Sequence, residues 1–181
     1  MITIPDKSFK SSIKLADILY VMKKDEMLRI AKRLDFYVSP NVNKDKTATR
    51  LAKNILEEPI EIVSRLSKTE LLLLEELLNT GPDTYVEKKL RKSPYMLQKW
   101  GLVVTYEDEA NGKQYLLMPD EVREVLARVS TVYIAMAKEG KKGPSAKELR
   151  MASMMADLLG HTDFTIIDGM VINHRAISDD Q

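Results

Sequence analysis

The chain has 181 residues, 44% of them hydrophobic and 30% charged, with no cysteine and a formal net charge of +1. That length suits one or two small domains with a real core, and the composition is that of a globular protein. The lack of cysteine excludes disulfides and thiolate metal sites, and the near-neutral charge argues against a strongly basic nucleic-acid binder.

Charge is unevenly spread. Residues 1–58 hold 12 Lys/Arg against 8 Asp/Glu, residues 59–130 hold 10 against 12, and residues 131–181 hold 6 against 7. A phosphate-facing surface is therefore expected in the first third, or in a local patch of the middle. The opening stretch MITIPDKSFKSSIK carries no apolar core of signal-peptide length, and the run Leu71–Leu74 is broken by Glu75 and Glu76. A cytoplasmic protein with no membrane partner is expected.

The first ten residues read as a mobile lead-in. Leu15, Ile18, Leu19 and Met22 then fall on one helical face, and Met27, Ile30, Ala31 and Leu34 repeat the spacing behind a cap at Asp25. After a loop containing Ser39-Pro40, a third helix carries Ala48, Leu51, Ala52 and Ile55 inside. Ser67-Lys-Thr-Glu70 is a capping box, and the leucines from 71 to 78 behind it predict a central helix. Val86–Lys92 reads as a short basic helical stretch, and Ser93-Pro94 as the start of a helix Tyr95–Trp100.

The period then changes. Gly101–Tyr106 and Lys113–Met118 are strand-like, joined by a polar turn with the hairpin dipeptide Asn111-Gly112. Pro119-Asp120 opens a helix with Val122, Val125, Leu126 and Val129 inside. Gly140–Gly143 is a linker, and Ser145-Ala-Lys-Glu148 a second capping box. The following helix carries Leu149, Ala152, Met155 and Leu159 on one face, with Met151, Met154 and Met155 expected in the core or, as the alternative, forming an adaptable partner groove. Phe164–Ile167 and Met170–Ile172 predict a last hairpin.

The predicted fold class is α+β, mainly helical with small β-hairpins. Residues 67–126, with the hairpin GLVVTYEDEANGKQYLLM and the helix start PDEVREVL, resemble a winged helix. The expected division is a helical module at 1–58, a winged-helix domain at 59–139 and a helix-plus-hairpin extension at 140–181. In DNA-reading members the helix before the wing enters the major groove. The resemblance therefore implies Tyr95, Gln98 and Lys99 toward bases, Lys88, Lys89, Arg91 and Lys92 toward phosphates, and Lys113 on the wing. Glu107, Asp108 and Glu109 at the wing tip would repel a phosphate backbone, and Tyr95, Met96 and Trp100 suit a core.

The segment EMLRIAKRLDF–YVSPNVNKD–KTATRLAKNIL resembles SAP and Rho N-terminal helix-loop-helix modules, with Asn41 and Asn43 where a loop glycine is usual. Lys46, Arg50 and Lys53 form one basic stripe at i, i+4 and i+7, with Lys44 in the loop beside it. Lys32 and Arg33 read as a solvated face.

Nothing points to an enzyme. No phosphate-cradling glycine motif or nucleophile elbow is present. His161 and His174 with Asp163 and Asp168 match no metal-ligand spacing, so no metal or other cofactor is expected. The expected function is a nucleic-acid-associated, DNA-binding and transcription-related accessory protein. The alternative is an adaptor whose winged helix meets a protein partner. A homodimer contact through Val132, Met136 and the last hairpin stays open.

Overall fold

The structure is a computed structural model that describes residues 1–160 and the strands 164–167 and 170–173. It is an α+β fold. Strand β1 (Ile2–Thr3) leads into helices α1 (Leu15–Leu19), α2 (Lys24–Arg33), α3 (Lys44–Glu57), α4 (Ile60–Val63) and α5 (Lys68–Leu78). Strand β2 (Val86–Lys89), the one-turn helix α6 (Met96–Lys99) and the hairpin β3 (Val104–Asp108) and β4 (Lys113–Leu117) follow. Helices α7 (Asp120–Lys138) and α8 (Ala146–Leu158) and the antiparallel pair β5 (Phe164–Ile167) and β6 (Met170–Asn173) complete it. Among the described residues no helix is long and apolar enough to cross a membrane.

The sheet order is β1-β3-β4-β2, parallel between β1 and β3 and antiparallel elsewhere. One continuous core runs from Ile2 to Ala137, with α7 packed on α5, α4 and α3. Leu15, Leu51, Leu74, Leu97 and Leu126 are fully buried within it. The amphipathic spacing of the first three helices supplies much of this core, because burying an apolar side chain contributes about 1.5–3 kcal/mol.

Three local expectations are corrected. The first ten residues are anchored: Ile2 is buried, and Ile4 N–H donates to the Thr105 carbonyl at 2.8 Å. Ser11 exchanges hydrogen bonds with Asp83, its N–H donating at 2.7 Å and its Oγ accepting at 2.8 Å. The edge of β3 leaves backbone groups that a neighbouring strand satisfies, and Ile2 is the apolar residue that can follow it into the core. Helix α2 begins after Lys23, which is its cap, so Asp25 lies in the first turn instead.

The stretch expected to be helical at 86–92 is strand β2 over its first half. Val86 and Lys88 turn one way and Glu87 and Lys89 the other, and all four pair with β4. A strand has no local signature here. Its hydrogen bonds go to residues 113–116, and that distant edge decides the conformation.

The hairpin turn is tight. β3 continues to Asp108, and Gly112 takes the left-handed conformation that the turn needs, φ 63°. Gly101 matters for a different reason. At φ 74° it brings the entry to β3 against α1, where an added Cβ would lie 2.8 Å from both Leu19 and Met22.

Candidate nucleic-acid interface

The basic stripe forms on α3. Asn43 caps the helix, its Oδ1 accepting from Lys46 N–H at 2.8 Å. Ala48, Leu51, Ala52 and Ile55 turn inward and are buried. That rotation leaves Lys46, Arg50 and Lys53 on the exposed side, and none of the three has an ion-pair partner among the described residues. Lys44 is not in the loop but is the first residue of α3, its Nζ 4.5 Å from the centre of the Tyr20 ring. Tyr20 is half exposed, so this cation–π contact holds the ammonium at the surface.

The second basic group is dispersed by the strand. Lys88 is half-buried and bonded to Glu76 at 2.6 Å, so its charge is already answered. Lys89 is exposed and sits directly opposite Lys113 in the ladder. Two like charges facing each other across a ladder repel. Glu87 relieves part of that by accepting from Lys113 at 3.3 Å and from the Tyr115 hydroxyl at 3.1 Å. Arg91 lies over the Tyr95 ring at 3.9 Å, and Lys92 and Lys99 are exposed.

Gln98 is the clear correction among the expected contacts. It is fully buried. Its Nε2 donates to Thr105 Oγ1 and Gln114 Oε1, both at 2.9 Å, and its Oε1 accepts from Tyr95 N–H at 2.8 Å. Gln114 then donates to the Lys89 carbonyl at 3.0 Å. The amide ties α6 to β3, β4 and β2, and no edge of it is left for a base. Trp100 is buried too, as its aromatic character suggested.

Two features escape a sequence pattern. Glu70 was expected to close the capping box on Ser67. Ser67 does its half, accepting from Glu70 N–H at 3.3 Å. The Glu70 carboxylate instead reaches into the core and accepts from Leu97 N–H at 3.1 Å. Burial pushes its pKa above the ordinary range, opposed by the N–H groups of Leu97 and Met96. The free amides at the start of α6 are therefore occupied from inside and are not offered to a phosphate. The clue in the sequence is that Glu70, Leu74 and Leu77 share one helical face.

The other feature is a groove of about 290 Å³ between α2 and α6, lined by Arg29, Arg33 and Lys99 with Ile30, Met96 and Trp100, and by Glu26, whose carboxylate bonds to the N-terminal ammonium. Arg33, expected on a plain solvated face, belongs to this basic groove.

The turn between β3 and β4 carries Glu107, Asp108 and Glu109, and Asp108 is used locally, accepting from Asn111 Nδ2 at 2.8 Å. Among the described residues no group of His, Cys, Asp and Glu is arranged to hold a metal ion. His161, Asp163, Asp168 and His174 lie outside the described residues.

The expectation for α8 is overturned. Met151, Met154, Met155, Leu158 and Leu159 are all more than half exposed, and only Ala146 and Ala156 are buried. The helix is held at one side by Arg150, which bonds to Glu61, and its methionine face is exposed. On α7, Val132 is exposed but Met136 is buried, which removes Met136 from any contact surface.

Compared with protein-family models, curated proteins and solved structures, the chain gives no match.

Proposed function

We propose that this chain is a nucleic-acid-associated accessory protein, DNA-binding and transcription-related, that grips the phosphate backbone. The observation that carries this is the α3 stripe. Three cations at i, i+4 and i+7 are exposed on a helix whose other face is rigidly buried, and no carboxylate among the described residues neutralises them. Lys89, and Arg29 and Arg33 in the groove with Lys99, extend the supply of positive charge. The winged-helix part of the proposal is supported by the element order α5-β2-α6-β3-β4-α7 and by the sheet order β2-β4-β3.

Base readout has little support. Gln98 is buried, α6 has one turn, and Glu70 fills its amides. The binding proposed is therefore of the positioning kind, through phosphates, with low sequence preference. Changing Lys46, Arg50 and Lys53 together to alanine is expected to weaken binding of a short duplex. Each lost phosphate contact removes about 0.9 from the slope of log K against log salt, so the triple change should flatten it by nearly 3. Anisotropy titrations at several salt concentrations measure this. A wild-type chain that does not bind at low salt overturns the proposal.

A second function is favoured by α8. Met151, Met154, Met155 and Leu158 lie at i, i+3, i+4 and i+7, the spacing of a helix that packs on another surface. Methionine-rich faces adapt to partners. In this alternative the protein is an adaptor, and a second copy of the chain is the simplest partner. Light scattering is expected to give a mass above the monomer that returns to monomer in M154E/L158E. A monomeric wild-type chain at high concentration removes the homodimer.

A further inference from the structure

We propose that the cavity between the α4–α5 junction, the linker 140–145 and α8 is a binding site for a phosphate monoester. This does not rest on the nucleic-acid proposal. The cavity encloses about 600 Å³, a size that suits a small-molecule ligand. Four cationic side chains from three separate stretches line it: Arg65 after α4, Lys142 in the linker, and Lys147 and Arg150 on α8. Among the described lining residues Asp35 alone is acidic.

Charge accounting selects the ligand. Glu61 sits behind the wall and bonds to both Arg65 and Arg150, while Arg65 also bonds to Asp35 at 2.7 Å. Two carboxylates thus answer two of the four cations. Lys142 and Lys147 have no ion-pair partner among the described residues. The unmatched charge is that of two cations, which a dianion fits and a carboxylate or phosphodiester monoanion does not. A phosphate monoester is a dianion above its second pKa of about 6.

The lining also supplies donors. Ser67 and Ser145 accept from the N–H groups of Glu70 and Glu148, which leaves both hydroxyl protons to donate outward. Ser64 adds a third hydroxyl.

The linker that carries Lys142 is fixed in place. Lys141 N–H donates to the Met136 carbonyl at 2.8 Å, and the Tyr133 hydroxyl donates to the Pro144 carbonyl at 2.6 Å. Burial, with Glu148 adding to it, pushes the Tyr133 phenol up to about 12, so it keeps its proton for that bond at any physiological pH. At Gly143 a Cβ would lie 2.5 Å from the Tyr133 ring, so only glycine lets the linker come this close.

A monoester has two sources, a free phosphorylated small molecule or the 5′-phosphate end of a nucleic-acid strand. Calorimetric titration of the full chain with ribose 5-phosphate tests the site. Wild type is expected to bind it saturably and not to bind ribose. K142A/K147A should weaken binding by about tenfold or more with an unchanged urea midpoint, since both side chains lack structural partners. Binding should also weaken several-fold between about pH 7.5 and pH 5 as the phosphate takes up its second proton, the charged groups around it being Arg65, Lys142, Lys147, Arg150 and Asp35, with Glu61 behind them.

Competition by a 5′-phosphorylated oligonucleotide, and not by its 5′-hydroxyl counterpart, assigns the strand end. If neither oligonucleotide competes, the free small molecule is assigned. The proposal is overturned by no saturable binding, by equal binding of ribose, by an unchanged affinity in K142A/K147A, or by equal competition from both oligonucleotides.

Discussion

Replacing Gln98 with alanine is expected to cost about 2–4 kcal/mol of stability while leaving nucleic-acid affinity of the folded chain unchanged. The residue is fully buried, and its amide satisfies Tyr95 N–H, Thr105 Oγ1 and Gln114 Oε1 at once. Truncation opens a cavity and strands those groups without water. Each buried donor or acceptor left unmade costs about 1–3 kcal/mol, partly recovered if the neighbours re-pair. Urea unfolding measures the first effect and anisotropy the second. A large loss of affinity with an unchanged urea midpoint would mean that Gln98 meets the ligand, contrary to its burial.

That prediction separates what is legible in the sequence from what is not. Asn111-Gly112 fixes its turn by local chemistry, and Ser67, Asn43 and Ser145 cap their helices through residues three positions on. The α3 stripe is legible for the same reason, since helical periodicity sorts Leu51 and Ile55 inward and Arg50 outward. Strands β1 and β2 are not, because β1 pairs with Val104 and Thr105 across most of the described core and β2 pairs with residues 113–116 beyond α6 and β3. Gln98 and Glu70 look like surface residues until the chain closes around them. Polar side chains enter a core only where partners from other elements await them, and a linear pattern does not show those partners. The methionine face of α8 fails in the opposite direction. Its spacing announces a buried face, and the described part of the chain offers no surface to bury it.

The basic residues divide along the same line. Lys46, Arg50 and Lys53 keep their expected place because one helix sets it. Lys88, Lys89, Arg91 and Lys92 are close in sequence, but the strand sends Lys88 and Lys89 to opposite faces, with Lys88 spent on Glu76. Arg29 and Arg33 join Lys99 only through the packing of α2 beside α6.

Replacing Arg65 with alanine is expected to cost about 3 kcal/mol or more, and Glu61→Gln only about 1–2 kcal/mol. The asymmetry follows from exposure. Glu61 is 4% exposed, whereas the Arg65 and Arg150 side chains are 28% and 57% exposed. Without Arg65 the carboxylate stays buried with Arg150 as its remaining partner. Without the carboxylate charge both guanidinium groups can turn toward water. The Arg65–Asp35 pair adds little, since Asp35 is 68% exposed.

Acid separates the two variants further. Burial raises the Glu61 pKa, but the hydrogen bonds from Arg65 and Arg150 outweigh it and leave the group below its ordinary 4.5. A depressed carboxylate contributes stability that is present above the unfolded value and lost as the pH falls through the folded one. The wild-type urea midpoint should therefore carry this contribution down to about pH 4.5 and lose it below. In the Arg65→Ala chain the carboxyl moves up toward its unfolded value, so this contribution shrinks, and the gap to wild type narrows as the pH falls and Glu61 takes up its proton. In Glu61→Gln no such titration remains. If Glu61→Gln costs as much as Arg65→Ala at neutral pH, burial of the carboxylate is not what the arginine answers.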